Sequence, residues 1–304
     1  MYDASLFDVI EHDAAPGAAD GIRTYVALGD SFTEGLNDPY PGEDDRFRGW
    51  ADRLAEHIAA RNPGLRYANL AVRGKLVRQI VDDQVPPAVA MSPDLVTLCA
   101  GGNDILRPGA DPDALAVLFD DAVRRLRATG SRVVVFTGFD PRGLRNGRRI
   151  RGKGATYNMH LRAIADRRGC TVVDLWALRV FDDPRAWFED RLHLSPEGHR
   201  RMALRVAEVI GLPVEGDWRE PWPPFEGADW LASRREDLHW ARAYLLPWIG
   251  RRVTGRSSGV AARASRSVPW TGIRRCRPVI SSARRMTGRG AASATPPPAA
   301  AAAL

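Results

Sequence analysis

Ser31, Gly74, Asn103, Asp190 and His193 are the residues whose types and order suit acyl transfer. Ser31 follows an apolar run in ALGDSFTEGL (27–36), with Gly29, Asp30 and Gly35 around it. A serine hydroxyl is a weak nucleophile until a neighbouring base takes its proton. Histidine is the side chain suited to that at neutral pH. Asp190 lies three residues before His193 in DRLH, close enough to reach the second ring nitrogen and fix the tautomer. The order Ser…Asp…His is one of the known orders of such a triad. Of the 6 histidines, His193 alone has an aspartate three residues earlier; Glu236-x-x-His239 reads as an exposed helical pair. A developing oxyanion needs donors fixed in advance. The Ser31 N–H at a strand-to-helix turn, the Gly74 N–H in NLAVRG and the Asn103 amide in GGND are the three expected. At Gly74 the missing Cβ lets a substrate approach closely.

Each residue also has a plain structural reading. GDS after a strand makes a good N-cap and turn. Gly74 could begin a helix, GGND could be a Gly-rich turn, and Asp190 could pair with Arg191 or cap the helix after it. What separates chemistry from turn-making is where all of them fall in the fold.

Five short apolar, β-branched runs read as buried parallel strands: 22–28, 65–72, 94–100, 131–139 and 170–176. Segments with apolar spacings of three and four lie between them and read as helices: 47–62, 76–90 (interrupted by prolines), 113–130 and 155–169. Another follows at 196–210, with Ser195 as its N-cap. The alternation predicts an α/β domain with a five-stranded parallel sheet between two helical layers. Ligands in such folds bind beyond the carboxyl ends of the strands. Ser31, Gly74 and Asn103 each follow a strand directly, and Asp190 and His193 follow the fifth after a longer loop.

With these blocks placed, the chain resembles the SGNH, or GDSL-type, hydrolase family of esterases and lipases. Ser31 in GDSFTEG, Gly74 in NLAVRG, Asn103 in GGND and His193 in DRLH match its four namesake positions in order, and Asp190 matches its triad aspartate. The resemblance covers roughly residues 22–210. It implies a flavodoxin-like three-layer α/β/α sandwich and hydrolysis of a small-molecule carboxylic ester through an acyl-enzyme on Ser31, with no cofactor and no metal.

The chain of 304 residues carries 44 basic and 37 acidic side chains, a net charge of +7. That balance hints at nucleic acid, but its distribution does not. Residues 251–304 hold 11 of the arginines and no Lys, Asp or Glu, leaving 33 basic against 37 acidic residues in 1–250, a net −4. The folded body is therefore expected not to bind nucleic acid, and the basic tail, rich in Ser, Gly, Ala and Pro, is expected to be disordered. Residues 1–21 read as an acidic N-terminal extension, lacking the positive start and apolar core of a signal peptide. A hydrolase domain is expected over 22–211, then a Trp- and Pro-rich strap and a last helix over 212–250, the helix at 231–250. No apolar run is long enough to span a bilayer. Cys99, Cys170 and Cys276 are too scattered for a metal or disulfide framework, so a reduced, cytoplasmic protein is expected.

Two other chemistries stay open at this level. Asp30, Asp104 and Asp190 with His193 could hold a divalent metal for phosphoester hydrolysis. The same serine triad would also support acyl transfer to an alcohol. Phe139, Trp187, Phe188 and the tryptophans of the strap are candidates for an acyl pocket, although aromatics near a sheet edge usually pack.

Overall fold

The computed structural model describes residues 21–143 and 147–224. The N-terminal extension before 21, the helix expected over 231–250, the Glu236/His239 pair and the basic tail lie outside the described residues.

The strands are β1 (Thr24–Gly29), β4 (Arg66–Asn69), β5 (Leu95–Cys99), β6 (Arg132–Phe136) and β7 (Thr171–Val173). They form one parallel sheet in the order β4-β1-β5-β6-β7. Counted within the sheet this is 2-1-3-4-5, so the chain leaves β1 to one side for β4 and crosses to the other for β5. That reversal opens a crevice at the carboxyl ends of β1 and β5. The loops after these two strands carry Ser31 and Asn103.

Both faces of the sheet are covered, as near-continuous apolar strands require. Tyr25 and Ala27 of β1 point into a core built with α2 (Gly49–Arg61) and α8 (Pro196–Val209), where Trp50 and Leu54 are fully buried. Val26 and Leu28 point the other way, toward α3 (Val77–Asp83), α4 (Val85–Met91), α6 (Pro112–Arg127) and α7 (Gly147–Arg168). The result is the three-layer sandwich expected. One nine-residue stretch reads differently from the sequence: β2 (Pro39–Tyr40) and β3 (Glu43–Phe47) pair antiparallel as a small separate hairpin.

The helix expected over 76–90 is two helices that break at Gln84, because Pro86 and Pro87 fit only the first turn of a new helix. The helix expected from 155 begins at 147, its early turns lying in an Arg- and Gly-rich stretch with little apolar periodicity. Ser195 caps α8 as expected, accepting from the Gly198 N–H at 3.1 Å.

The first part of the strap runs over α8. Arg201 lies 4.1 Å from the Trp222 ring centroid, Arg205 and Arg219 flank Trp218, and Trp222 donates to the Val180 carbonyl at 2.8 Å. Cation–π contacts thus add to the packing of Val214, Trp218 and Trp222 against the core. Among the described residues no helix is long and apolar enough to cross a membrane.

Candidate active site

β1 ends at Gly29, and Ser31 opens the four-residue helix α1 (Ser31–Glu34). Asp30 caps that helix by accepting from the Phe32 N–H at 3.1 Å. The turn is pinned from below by Gln84, whose side-chain amide donates to the Gly29 carbonyl and accepts from the Gly29 N–H, both at 2.9 Å. Gln84 is almost fully buried, so these two bonds satisfy an amide that would otherwise be costly inside the protein. Behind Ser31, the Phe32 ring packs on Trp50, Phe136 and Phe139. Rigid aromatic packing thus holds the turn in place.

Asp190 and His193 sit on a loop closed as a hairpin. Trp187 bridges Leu194, the Phe188 N–H donates to the His193 carbonyl at 2.8 Å, and the Ser195 N–H donates to the Ala186 carbonyl at 2.9 Å. Inside the loop Asp190 Oδ1 accepts from the Leu192 and His193 N–H groups, each at 3.0 Å. Arg191 between them takes a left-handed φ of 55°, which this tight turn imposes.

The two halves meet across the crevice. His193 Nδ1 lies 2.6 Å from Asp190 Oδ2, and His193 Nε2 lies 2.9 Å from Ser31 Oγ. A carboxylate accepts, so the ring proton sits on Nδ1, leaving Nε2 to accept from the serine hydroxyl. Burial pushes the Asp190 carboxyl up. The hydrogen bond from the His193 ring, with the two backbone N–H groups, outweighs that and holds it below the usual carboxylate range. Asp190 is thus ionised at neutral pH, as an orienting partner must be.

Asn103, in α5 (Gly102–Ile105), ties the other loops together. Its amide nitrogen donates to Asp30 Oδ2 at 2.9 Å and to the Lys75 carbonyl at 3.2 Å. One nitrogen therefore touches the residue before Ser31 and the residue after Gly74. Gly74 has a left-handed φ of 76°, and Arg73 before it is held on buried Glu34 by its backbone N–H (2.7 Å) and its guanidinium (3.0 and 3.1 Å). Among the described residues no protein acceptor takes the Ser31 or Gly74 N–H. The Asn103 amide differs from the sequence expectation of a waiting donor: it already spends its hydrogens on Asp30 and Lys75.

Asp30 and Asp104 are struts. Asp104 accepts from the Val77 N–H at 3.0 Å. Burial raises the Asp30 carboxyl to about 6 despite the hydrogen bond from the Phe32 N–H. With these side chains turned to backbone and amide donors, no group of three or more His, Cys, Asp or Glu among the described residues could hold a metal ion. The metal-site arrangement of Asp30, Asp104 and Asp190 is thus not assembled. Phe139 packs edge-on against Phe32 and Trp187 and lies against Phe181, so it belongs to the packing behind the site. Phe188 contributes its backbone to the loop.

Sequence reasoning missed two buried supports, Gln84 and His199. The Trp50 N–H donates to His199 Nδ1 at 3.1 Å, which puts the ring proton on Nε2, 3.2 Å from the Leu36 carbonyl. Burial lowers the His199 imidazole to about 4, so the ring is neutral. Neither residue carried a local signal; each matters through partners distant in sequence.

A parallel sheet in this order, with a Ser–His–Asp chain at its carboxyl edge, has the layout of a serine hydrolase. The chain belongs to the GDSL-like lipase/acylhydrolase family, whose model matches residues 27–201. It is a carboxylic ester hydrolase of the serine esterase/acylhydrolase class. Among solved structures it is similar to a variant of the acetyl xylan esterase Axe2 from Geobacillus stearothermophilus, with 21% identity, a TM-score of 0.55, and 64% of this chain and 97% of that one covered. It is also similar to LAE5, an α/β hydrolase from the metagenome of Lake Arreo, Spain, with 24% identity, a TM-score of 0.54, and 65% and 97% covered. At these identities the likeness shows a shared fold. No curated protein matches the sequence.

Proposed function

We propose that Ser31 is the nucleophile, His193 the general base and acid, and Asp190 the group that orients and charges the imidazole. The observation that carries this is the continuous hydrogen-bond chain from Asp190 Oδ2 through His193 to Ser31 Oγ. Ser31 Oγ attacks the ester carbonyl as His193 Nε2 takes its proton. The resulting imidazolium is stabilised by Asp190 and returns the proton to the leaving alcohol. Water, deprotonated by the same nitrogen, then releases the acid from Ser31.

The oxyanion is assigned to the Ser31 N–H, the Gly74 N–H and the Asn103 amide. The first two have no competing acceptor among the described residues. For Asn103 the longer bond to the Lys75 carbonyl is the one given up or shared as negative charge develops. A negative oxygen is the stronger acceptor and outcompetes a neutral carbonyl.

The substrate is a small carboxylic ester. A panel of p-nitrophenyl esters of rising chain length, run beside acetylated sugars and thioesters, tests the reading. Turnover of at least one oxygen ester, unaffected by a chelator, is expected. Activity that EDTA abolishes and a divalent metal restores would contradict it.

A further inference from the structure

Asp190 Oδ2 accepts more than the His193 ring. The side-chain amide of Asn37 donates to the same oxygen at 3.2 Å, across 153 residues of sequence. Asn37 comes from the turn that follows α1, six residues after Ser31, so this bond joins the nucleophile's own segment to the aspartate. We infer that Asn37 is a positioning residue for the esterase reaction, holding the Asp190 carboxylate at the angle that aims His193 at Ser31. The inference rests on the triad assignment above.

The turn around Asn37 is built to hold that amide still. Asn37 has a left-handed φ of 72°, a conformation that costs most residues energy and that asparagine tolerates comparatively well. Both neighbours are clamped. The Leu36 carbonyl accepts from neutral His199, and the Asp38 carboxylate takes a bidentate pair of bonds from Arg53 at 2.7 and 3.0 Å. The Asp38 carbonyl accepts from the Arg48 N–H at 2.7 Å. Gly35, which starts the turn, packs directly on Gly49 of α2; a Cβ there would lie 2.5 Å from the Gly49 Cα. Held backbone strain on a residue that touches a functional carboxylate suits a positioning role.

The consequence is directional. Asp190 Oδ1 is fixed by the backbone of its own loop, whereas Oδ2 carries the catalytic contact. Without Asn37 the carboxylate keeps its loop bonds but loses a donor that ties Oδ2 to the segment carrying Ser31. The imidazole can then swing, and fewer encounters are productive. The loss falls on the chemical step, because Asn37 reaches the reacting atoms only through Asp190 and His193.

The test is a double-mutant cycle. Asn37→Gly keeps the left-handed backbone and removes the amide. Asn37→Asp keeps the shape, removes the donor and sets a second carboxylate against Asp190, so Asn37→Gly is the variant that reads the lost amide alone. Both are measured alone and with Asp190→Asn, on the best ester found, with thermal melting in parallel. The expected result is a fall in kcat of about tenfold for Asn37→Gly, of the order of one hydrogen bond to a charged group, and at least as large a fall for Asn37→Asp, with KM within about twofold. In the Asp190→Asn background the further loss should be under about threefold, since residues that act through one another are not additive. The inference is overturned by wild-type kcat in either single variant, or by the same fold loss in both backgrounds. A fall confined to KM or to melting temperature overturns it too. Ser31→Ala, run alongside, separates this from the parent reading: full activity there removes the triad assignment, whereas an inactive Ser31→Ala with unaffected Asn37 variants removes the positioning role alone.

Discussion

Replacing Asp30 by Asn should change how stability depends on pH, in a direction the burial of this carboxyl dictates. Its value rises from 3.8 to about 6, chiefly because burial disfavours the charged form. Between those values the folded chain keeps a proton that the unfolded chain has released. Stability therefore falls as pH rises from about 4 to about 6 and levels off above. Two units at about 1.4 kcal/mol each amount to an effect on the order of 3 kcal/mol. For a domain of this size that is roughly 6–12 °C in melting temperature. Asn at this position does not titrate, but it brings a separate cost. Asp30 uses one oxygen for the Phe32 N–H and the other for Asn103, and an amide supplies only one acceptor. That cost, about 1–3 kcal/mol, is the same at every pH. Melting curves of both proteins from pH 4 to pH 7.5 separate the two effects. The wild type should lose ground to Asp30→Asn by about that melting-temperature margin as pH rises. A difference that stays constant, or that moves the opposite way, refutes the burial argument.

Asn103→Ala should lower kcat by about 10²–10³ with KM little changed, the mark of a donor used in the transition state; steady-state kinetics reads it, and a rise in KM alone would reassign the residue to ground-state binding. His193→Ala should lose most activity and Asp190→Asn less, because the latter keeps the base and disturbs its orientation and charge; equal turnover numbers for the wild type and His193→Ala would contradict the base assignment. Gly35→Ala should cost about 3 kcal/mol or more in denaturant unfolding, since its φ is 89° and the new Cβ would meet the Gly49 backbone at 2.5 Å. A loss of well under 1 kcal/mol would mean that α1 and α2 separate easily.

The strands were legible because each is a short apolar run bounded by turn residues, and the candidate site could be proposed because its residues sit where those runs end. Ser31, Asn103, Asp190 and His193 could be placed before any contact was known, since each follows a strand or lies in a short spaced motif. The hairpin at 39–47 was not legible: Pro39, Tyr40 and the charged residues after them have no apolar alternation to mark a strand. The early turns of α7 were hidden by Gly152, Gly154 and a run of arginines, which give no apolar periodicity to read. The supports Gln84 and His199 were hidden for a different reason. A buried amide pinning Gly29 and a neutral imidazole bridging Trp50 to Leu36 become visible only once helices distant in sequence close on β1 and α1. The engagement of the Asn103 amide by Asp30 and Lys75 is equally tertiary.

The central claim, that Ser31 carries the acyl group, is tested most directly by intact-protein and peptide mass spectrometry after reaction with a fluorophosphonate. One adduct per chain is expected, located on Ser31, absent from Ser31→Ala and formed far more slowly by His193→Ala. An adduct on a different serine, or full ester hydrolysis by Ser31→Ala, would contradict the account.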